Sequence, residues 1–299
     1  MLQNNTARLE EAVVAYREAL KEQTRENAPS LWASTQSSLA EVLAMLGDHE
    51  NNTARFEEGV AAYREALKEL TRERAPPQWA TIQVGLGHAL TKLGESENNT
   101  ARLEEAVAAY REALKERTRE GTSLDWATVL QGLAEARENL GYAQFLSGDF
   151  VAAALNLREA ADGNAYPMLW LYLADTRSGG KNAKRDLQQG AKSLRPEEWP
   201  SPVIEFFLGR RTPTAMLAAA QAPNEQCEAQ FYLGEWHLLR NKRADATAAL
   251  RKAIETCPAD FNEYIAATVE LKRLESGPST NSPNRDPKRQ GTQRPLIPW

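Results

Sequence analysis

Apolar residues at the start of the chain fall on one side of a 3.6-residue period. Leu9, Ala12, Val13, Tyr16, Ala19 and Leu20 stand at i, i+3, i+4, i+7, i+10 and i+11, which is one stripe of a helix. Arg8, Glu11, Glu18, Lys21 and Glu22 hold the opposite side. The spacing predicts a helix over about 6–26, capped by Asn5 or Thr6, with Glu10 and Glu11 at the positive end of its dipole. Pro29 stops it. Leu39, Val42, Leu43 and Leu46 predict a second helix over about 31–46, ended by Gly47 as a left-handed cap. The pair recurs at about 53–73 and 78–93, and its first half at 100–120.

The recurrence has a fixed step. Asn4, Asn51 and Asn98 are 47 residues apart, as are Trp32, Trp79 and Trp126, and Gly47, Gly94 and Gly141. Two helices of this size cannot bury their own apolar faces, so such a period predicts hairpins stacked on their neighbours. After Gly141, Tyr142, Phe145 and Leu146 extend the stripe of Leu133 and Leu140, so this helix runs to about Leu146 and turns at Gly148–Asp149. Ala153, Leu157 and Ala160 then keep the register. Beyond Pro167 the pattern loosens into short helices near 169–174, 182–194, 203–208 and 215–220, with a last one over about 260–274 turning Ile265, Val269 and Leu274 inward.

Leu86, Gly87 and Leu90 in the first helix of a pair, with Ala106, Tyr110 and Ala113 in the second, resemble the tetratricopeptide repeat. Leu233, Gly234, His237, Ala246, Leu250, Ala253 and Pro258 sit at that family's 34-residue spacings. The longer unit is read as seven residues added to the loop Glu95–Ala101 and about six added to the second helix and its exit. Ala40 and Ala134 stand where Gly87 does, and small size suffices there. The segments 169–175, 198–209 and 231–239, with the closing helix, resemble the C-terminal half of the NlpI-type bacterial lipoproteins, which are periplasmic adaptors.

The resemblance implies an all-α fold, a right-handed α-solenoid. It is divided into a 47-residue array (1–125), a divergent helical region (126–275) with one full repeat at 227–260, and a disordered tail (276–299). It also implies a scaffold or adaptor that binds a protein or peptide along an inner groove lined by the first helices. The positions that carry over are Ser37, Glu41 and Met45 in the first unit. They are Val84, His88, Thr91 and Lys92 in the second, and Gln131, Glu135, Glu138, Tyr142 and Phe145 in the third. A place in the bacterial cell envelope follows from the second resemblance.

Composition narrows the picture. Over 299 residues, 42% hydrophobic and 26% charged content suits a foldable chain, and a net charge of −5 argues against nucleic acid as partner. No apolar run reaches the roughly 20 residues of a membrane helix. MLQNNTARLEEAV reads as no signal peptide. The location is therefore periplasmic if an upstream export signal is missing from this chain, and otherwise cytoplasmic. The tail has five prolines with Arg285, Lys288, Arg289 and Arg294, ending in the apolar Leu296–Trp299, and too little to bury.

Candidate chemistry is sparse. Neither His49, His88 nor His237 has a second ligand at metal spacing, no nucleophile–base set is present, and no cofactor motif is found, so no catalytic residue, metal or cofactor is expected. The paired glutamates 10/11, 57/58 and 104/105 recur with the period as helix starts, and the Asn-Asn-Thr triplets as caps. Cys227 and Cys257 lie at matching ends of one hairpin, where a disulfide forms if the Cα separation falls below about 7 Å, which would mean an oxidising compartment; two reduced, buried thiols are the other reading. The first helix has no partner before it, so Leu9, Val13 and Tyr16 are expected to face solvent on one side or to meet another subunit, a route to self-association. An enzyme with a site in 166–222, around Trp170 and Trp199, is the rival class.

Overall fold

The computed structural model describes residues 2–116, 126–161, 163–196 and 198–276, and no strand occurs among them. The expectations for the tail after Ser276 lie outside the described residues. The chain divides into two compact units, one up to Ala220 and one from Gln221.

The first unit holds α1 (Leu2–Glu22), α2 (Pro29–Glu50), α3 (Thr53–Ala66), α4 (Pro76–Glu97), α5 (Thr100–Leu114), α6 (Trp126–Ser147), α7 (Phe150–Ala160), α8 (Ala165–Arg177), α9 (Ala183–Gly190), α10 (Ser201–Phe207) and α11 (Pro213–Ala219). From α1 to α9 each helix packs on the next, and α4 also meets both α2 and α6 directly. Phe56, Tyr63, Leu86, Leu90, Leu103, Tyr110, Leu133 and Leu140 belong to one continuous core. On α1, Val13 is 1% exposed, and Leu9, Tyr16 and Leu20 pack with it on Leu39, Leu43 and Leu46. The expected solvent face of Leu9, Val13 and Tyr16 is therefore covered by α2; among the described side chains of α1, Val14 is an exposed large apolar residue.

The turns correct the sequence reading in a physical way. α2 and α4 run three residues past Gly47 and Gly94, and only Asn51–Asn52 and Asn98–Asn99 join them to α3 and α5. Asn51 and Asn98 take the left-handed conformation, each with φ 49°, and are the C-caps assigned above to glycine. Asn52 and Asn99 are N-caps, their side chains accepting from the amides of Ala54 and Ala101. Gly47 and Gly94 instead allow close packing. A β-carbon there would lie 2.8 Å from the Phe56 ring and 2.5 Å from Leu103 Cγ. The seven added residues thus lengthen two antiparallel helices by about one turn each, which keeps the apolar face in register. α1 begins at Leu2, ahead of the expected cap at Asn5 or Thr6.

The second unit is α12 (Pro223–Leu238), α13 (Arg243–Thr256) and α14 (Asn262–Ser276). Gly234 takes Leu250 against it, and Ala246, Leu250 and Ala253 are fully buried. Cys227 and Cys257 are bonded, with Cα atoms 4.9 Å apart. α14 is rotated from expectation. It buries Glu263, Ala266, Ala267, Glu270 and Leu271, while Ile265, Val269 and Leu274 are half-buried. The polar members have partners inside: Tyr232 donates to Glu263 at 3.1 Å, and Arg273 pairs with Glu270.

Candidate functional site

The side-by-side packing of α2 and α4 leaves a cleft of about 230 Å³ between them. Ser37, Glu41, Met45 and Asp48 come from α2, Thr81, Val84, Gly85 and His88 from α4, and Tyr63 rises from α3 beneath. Five residues expected from the sequence, Ser37, Glu41, Met45, Val84 and His88, thus share one space. A wider hollow of about 430 Å³ adjoins it, and Asp48 lines both. There Lys92, Glu95 and Ser96 face Asn51, Thr53 and Phe56.

Three other expected residues are not accessible. Thr91 is 2% exposed, and its hydroxyl donates to the Gly87 carbonyl at 2.8 Å, inside its own helix. Phe145 is fully buried, its ring edge-on to Phe150 and Trp170. Tyr142 is 8% exposed and packs on Trp170, while its hydroxyl donates to Glu138 at 2.6 Å. α6 reaches α8 here, so the end of the third unit's inner stripe, at Tyr142 and Phe145, becomes core. Trp170, the proposed centre of a rival site, is 1% exposed within that core. Gln131 is exposed, and Glu135 and Glu138 half-buried, on α6.

Sequence reasoning missed Tyr63, Asp48, Thr81 and Gly85. A signal for Tyr63 existed: Gly85 and Gly132 sit inside helices, where glycine costs about 1 kcal/mol relative to alanine. A β-carbon on Gly85 would lie 2.3 Å from the Tyr63 hydroxyl, and one on Gly132 would lie 2.6 Å from that of Tyr110. The glycines mark where a tyrosine from below enters the space between two first helices.

The electrostatics are uneven along the groove. Glu41 is exposed, with no ion-pair partner among the described residues. Asp48 has His88 Nε2 at 3.6 Å. Further along, Lys92 Nζ donates to Glu135 at 2.7 Å, with Glu95 at 3.7 Å. Burial works against the Lys92 ammonium, but Glu135, Glu95 and Asp48 outweigh it and its pKa is raised. Burial, seconded by the Glu41 charge, raises the Tyr63 phenol above its ordinary range. Burial does the same for Tyr110, helped by Glu135 and opposed by the neighbouring Thr91 hydroxyl. Burial also raises Glu138, with Tyr142 opposing and Glu135 and Glu95 adding.

Among the described residues, no three His, Cys, Asp or Glu side chains gather as a metal-ligand set, and no helix is long and apolar enough to cross a membrane. No family model matches the chain. Among solved structures it is similar to the crystal structure of BtubC (BKLC) from P. vanneervenii. The two share 16% identity over 100% of this chain and 99% of that chain, with a TM-score of 0.36.

Proposed function

We propose that the chain is a non-catalytic scaffold: a right-handed α-solenoid of tetratricopeptide-like hairpins whose inner face holds an extended peptide or a segment of a partner protein. The observation that carries this reading is the common cleft of Ser37, Glu41, Met45, Val84 and His88 between α2 and α4. Its volume lies below the about 300–1,000 Å³ of small-molecule sites, so it suits one side chain of a larger ligand. The direct packing of α4 on α6 continues the same face toward Gln131, Glu135 and Glu138, which gives a peptide several residues of track. The Cys227–Cys257 bond suits a protein that meets an oxidising environment.

A displayed random-peptide library selected on the full chain tests the reading. Enriched peptides are expected to lose binding to a Glu41→Ala/His88→Ala variant whose melting curve matches that of the parent. Failure to enrich any peptide, or equal binding to the variant, would overturn it.

A further inference from the structure

The repeat supplies its own comparison for the cleft between α2 and α4. Shifting each residue by 47 turns it into the next cleft, between α4 and α6. Tyr63 becomes Tyr110, Gly85 becomes Gly132, Ala44 becomes Thr91, Met45 becomes Lys92, and Asp48 becomes Glu95. Both clefts hold a tyrosine that enters at a glycine. In the second, the Tyr110 hydroxyl has the Thr91 hydroxyl beside it, and the chain supplies its own cation, Lys92, on Glu135. In the first, both companions are gone. Ala44 has no hydroxyl and Met45 has no charge.

What remains there is two carboxylates and a phenol with no lysine or arginine of the chain lining the cleft. Tyr63 is 4% exposed and lines the cleft, and its hydroxyl has no hydrogen-bond partner among the described residues. The oxygen itself is not sealed off, so it is open to a ligand entering the cleft. Glu41 stands above it without a cation, and Asp48 closes one end. The other charged groups nearby are His88, 3.6 Å from Asp48, and Lys92, which is committed to Glu135 at 2.7 Å. Met45, 43% exposed, and the half-buried Val84 form apolar walls. Such walls match the methylene stem of a long cationic side chain, whose head would reach the acceptors.

We infer that the cleft between α2 and α4 is a subsite for a lysine or arginine side chain of the bound partner, held by Glu41, Asp48 and the Tyr63 hydroxyl. In effect, the partner provides in the first cleft the cation that Lys92 provides in the second, on an acid that has changed helix: the 47-residue step turns Glu41 into His88 and His88 into Glu135. This deepens the scaffold reading and rests on it.

The test uses the full chain and four fluorescent peptide pools of one length, with Lys, Arg, Glu or norleucine fixed at the centre and random neutral flanks. Anisotropy titrations are expected to show the Lys- or Arg-centred pool binding about tenfold tighter than the norleucine pool, and the Glu pool weakest. The preference should shrink in 1 M salt. Met45→Lys, which copies the second cleft, is expected to erase the preference while leaving norleucine-pool binding in place. Glu41→Gln and Tyr63→Phe should each reduce it. If the norleucine pool binds as tightly as the cationic pools, or Met45→Lys leaves the preference intact, the subsite inference falls and the scaffold reading stands. If no pool binds, the scaffold reading falls with it. Circular dichroism melts of each variant separate lost folding from lost binding.

Discussion

Tyr63 and Gly85 compete for one space: the phenol oxygen lies 2.3 Å from where a β-carbon on residue 85 would sit. Alanine would gain about 1 kcal/mol of helix propensity at that position. It would also push a buried ring out of its seat, and overpacking of this kind costs about 1–3 kcal/mol or more. Gly85→Ala is therefore expected to lower the urea midpoint at unchanged slope and to weaken any ligand that uses the Tyr63 hydroxyl. A variant more stable than the parent would mean that the ring moves aside freely.

Cys227 and Cys257 close a loop with a sequence separation of 30. On the chain-entropy account such a loop is worth about 3–4 kcal/mol. Reduction, or the pair Cys227→Ala and Cys257→Ala, is expected to lower thermal stability and to leave peptide binding at α2 and α4 unchanged in native conditions. Intact mass with and without reductant checks the bond itself. Equal melting curves for oxidised and reduced protein would contradict the expected effect.

Arginine–glutamate pairs tie successive units together on several faces, but they are not equivalent. Arg17 meets Glu58 with both side chains about half exposed, and such pairs are worth about 0–1 kcal/mol. Arg72 bonds Glu116, whose side chain is 2% exposed, and its guanidinium sits 5.5 Å over the Trp79 ring. Removing it takes a charged partner away from a buried carboxylate and strips a cation–π contact. Arg72→Ala is expected to cost about 2–4 kcal/mol, and Arg17→Ala less than about 0.5. Denaturant titrations that gave similar losses for both would refute the distinction.

The helical stripes were legible because apolar spacing is a local signal: Leu39, Leu43 and Leu46 lie inward as the 3.6-residue period requires. What failed depended on how two helices meet. Gly47 looks like a cap in one dimension and is a packing site in three, since its purpose is the Phe56 ring nine positions on. Thr91 shares a stripe with His88 and Lys92, but its side chain turns back to its own helix. Phe145 and Tyr142 keep the groove register, yet α8 arrives and covers them. Glu263 and Glu270 are charged residues that sequence pattern alone assigns to solvent. Their partners Tyr232 and Arg273, 31 positions before and 3 after respectively, accompany that burial.

Glu138 offers a pH test of the groove. Burial raises its pKa from 4.5, Glu135 and Glu95 add to the rise, and the Tyr142 hydrogen bond opposes it. A carboxyl whose pKa is higher in the folded state is held more tightly as the neutral acid. Its favourable contribution is thus complete below about pH 4.5 and is lost as pH climbs through the folded value. At neutral pH the charged form costs stability. Glu138→Gln keeps an oxygen to accept from Tyr142 and removes the charge. Because the site is only partly buried, solvent screening limits the expected gain at pH 7 to less than about 1 kcal/mol. The difference from the parent should vanish near pH 4, where the parent is itself protonated. Paired melts at the two pH values decide it: a gain that persists at pH 4 would mean that the substitution acts through packing, with the Glu138 charge playing no part.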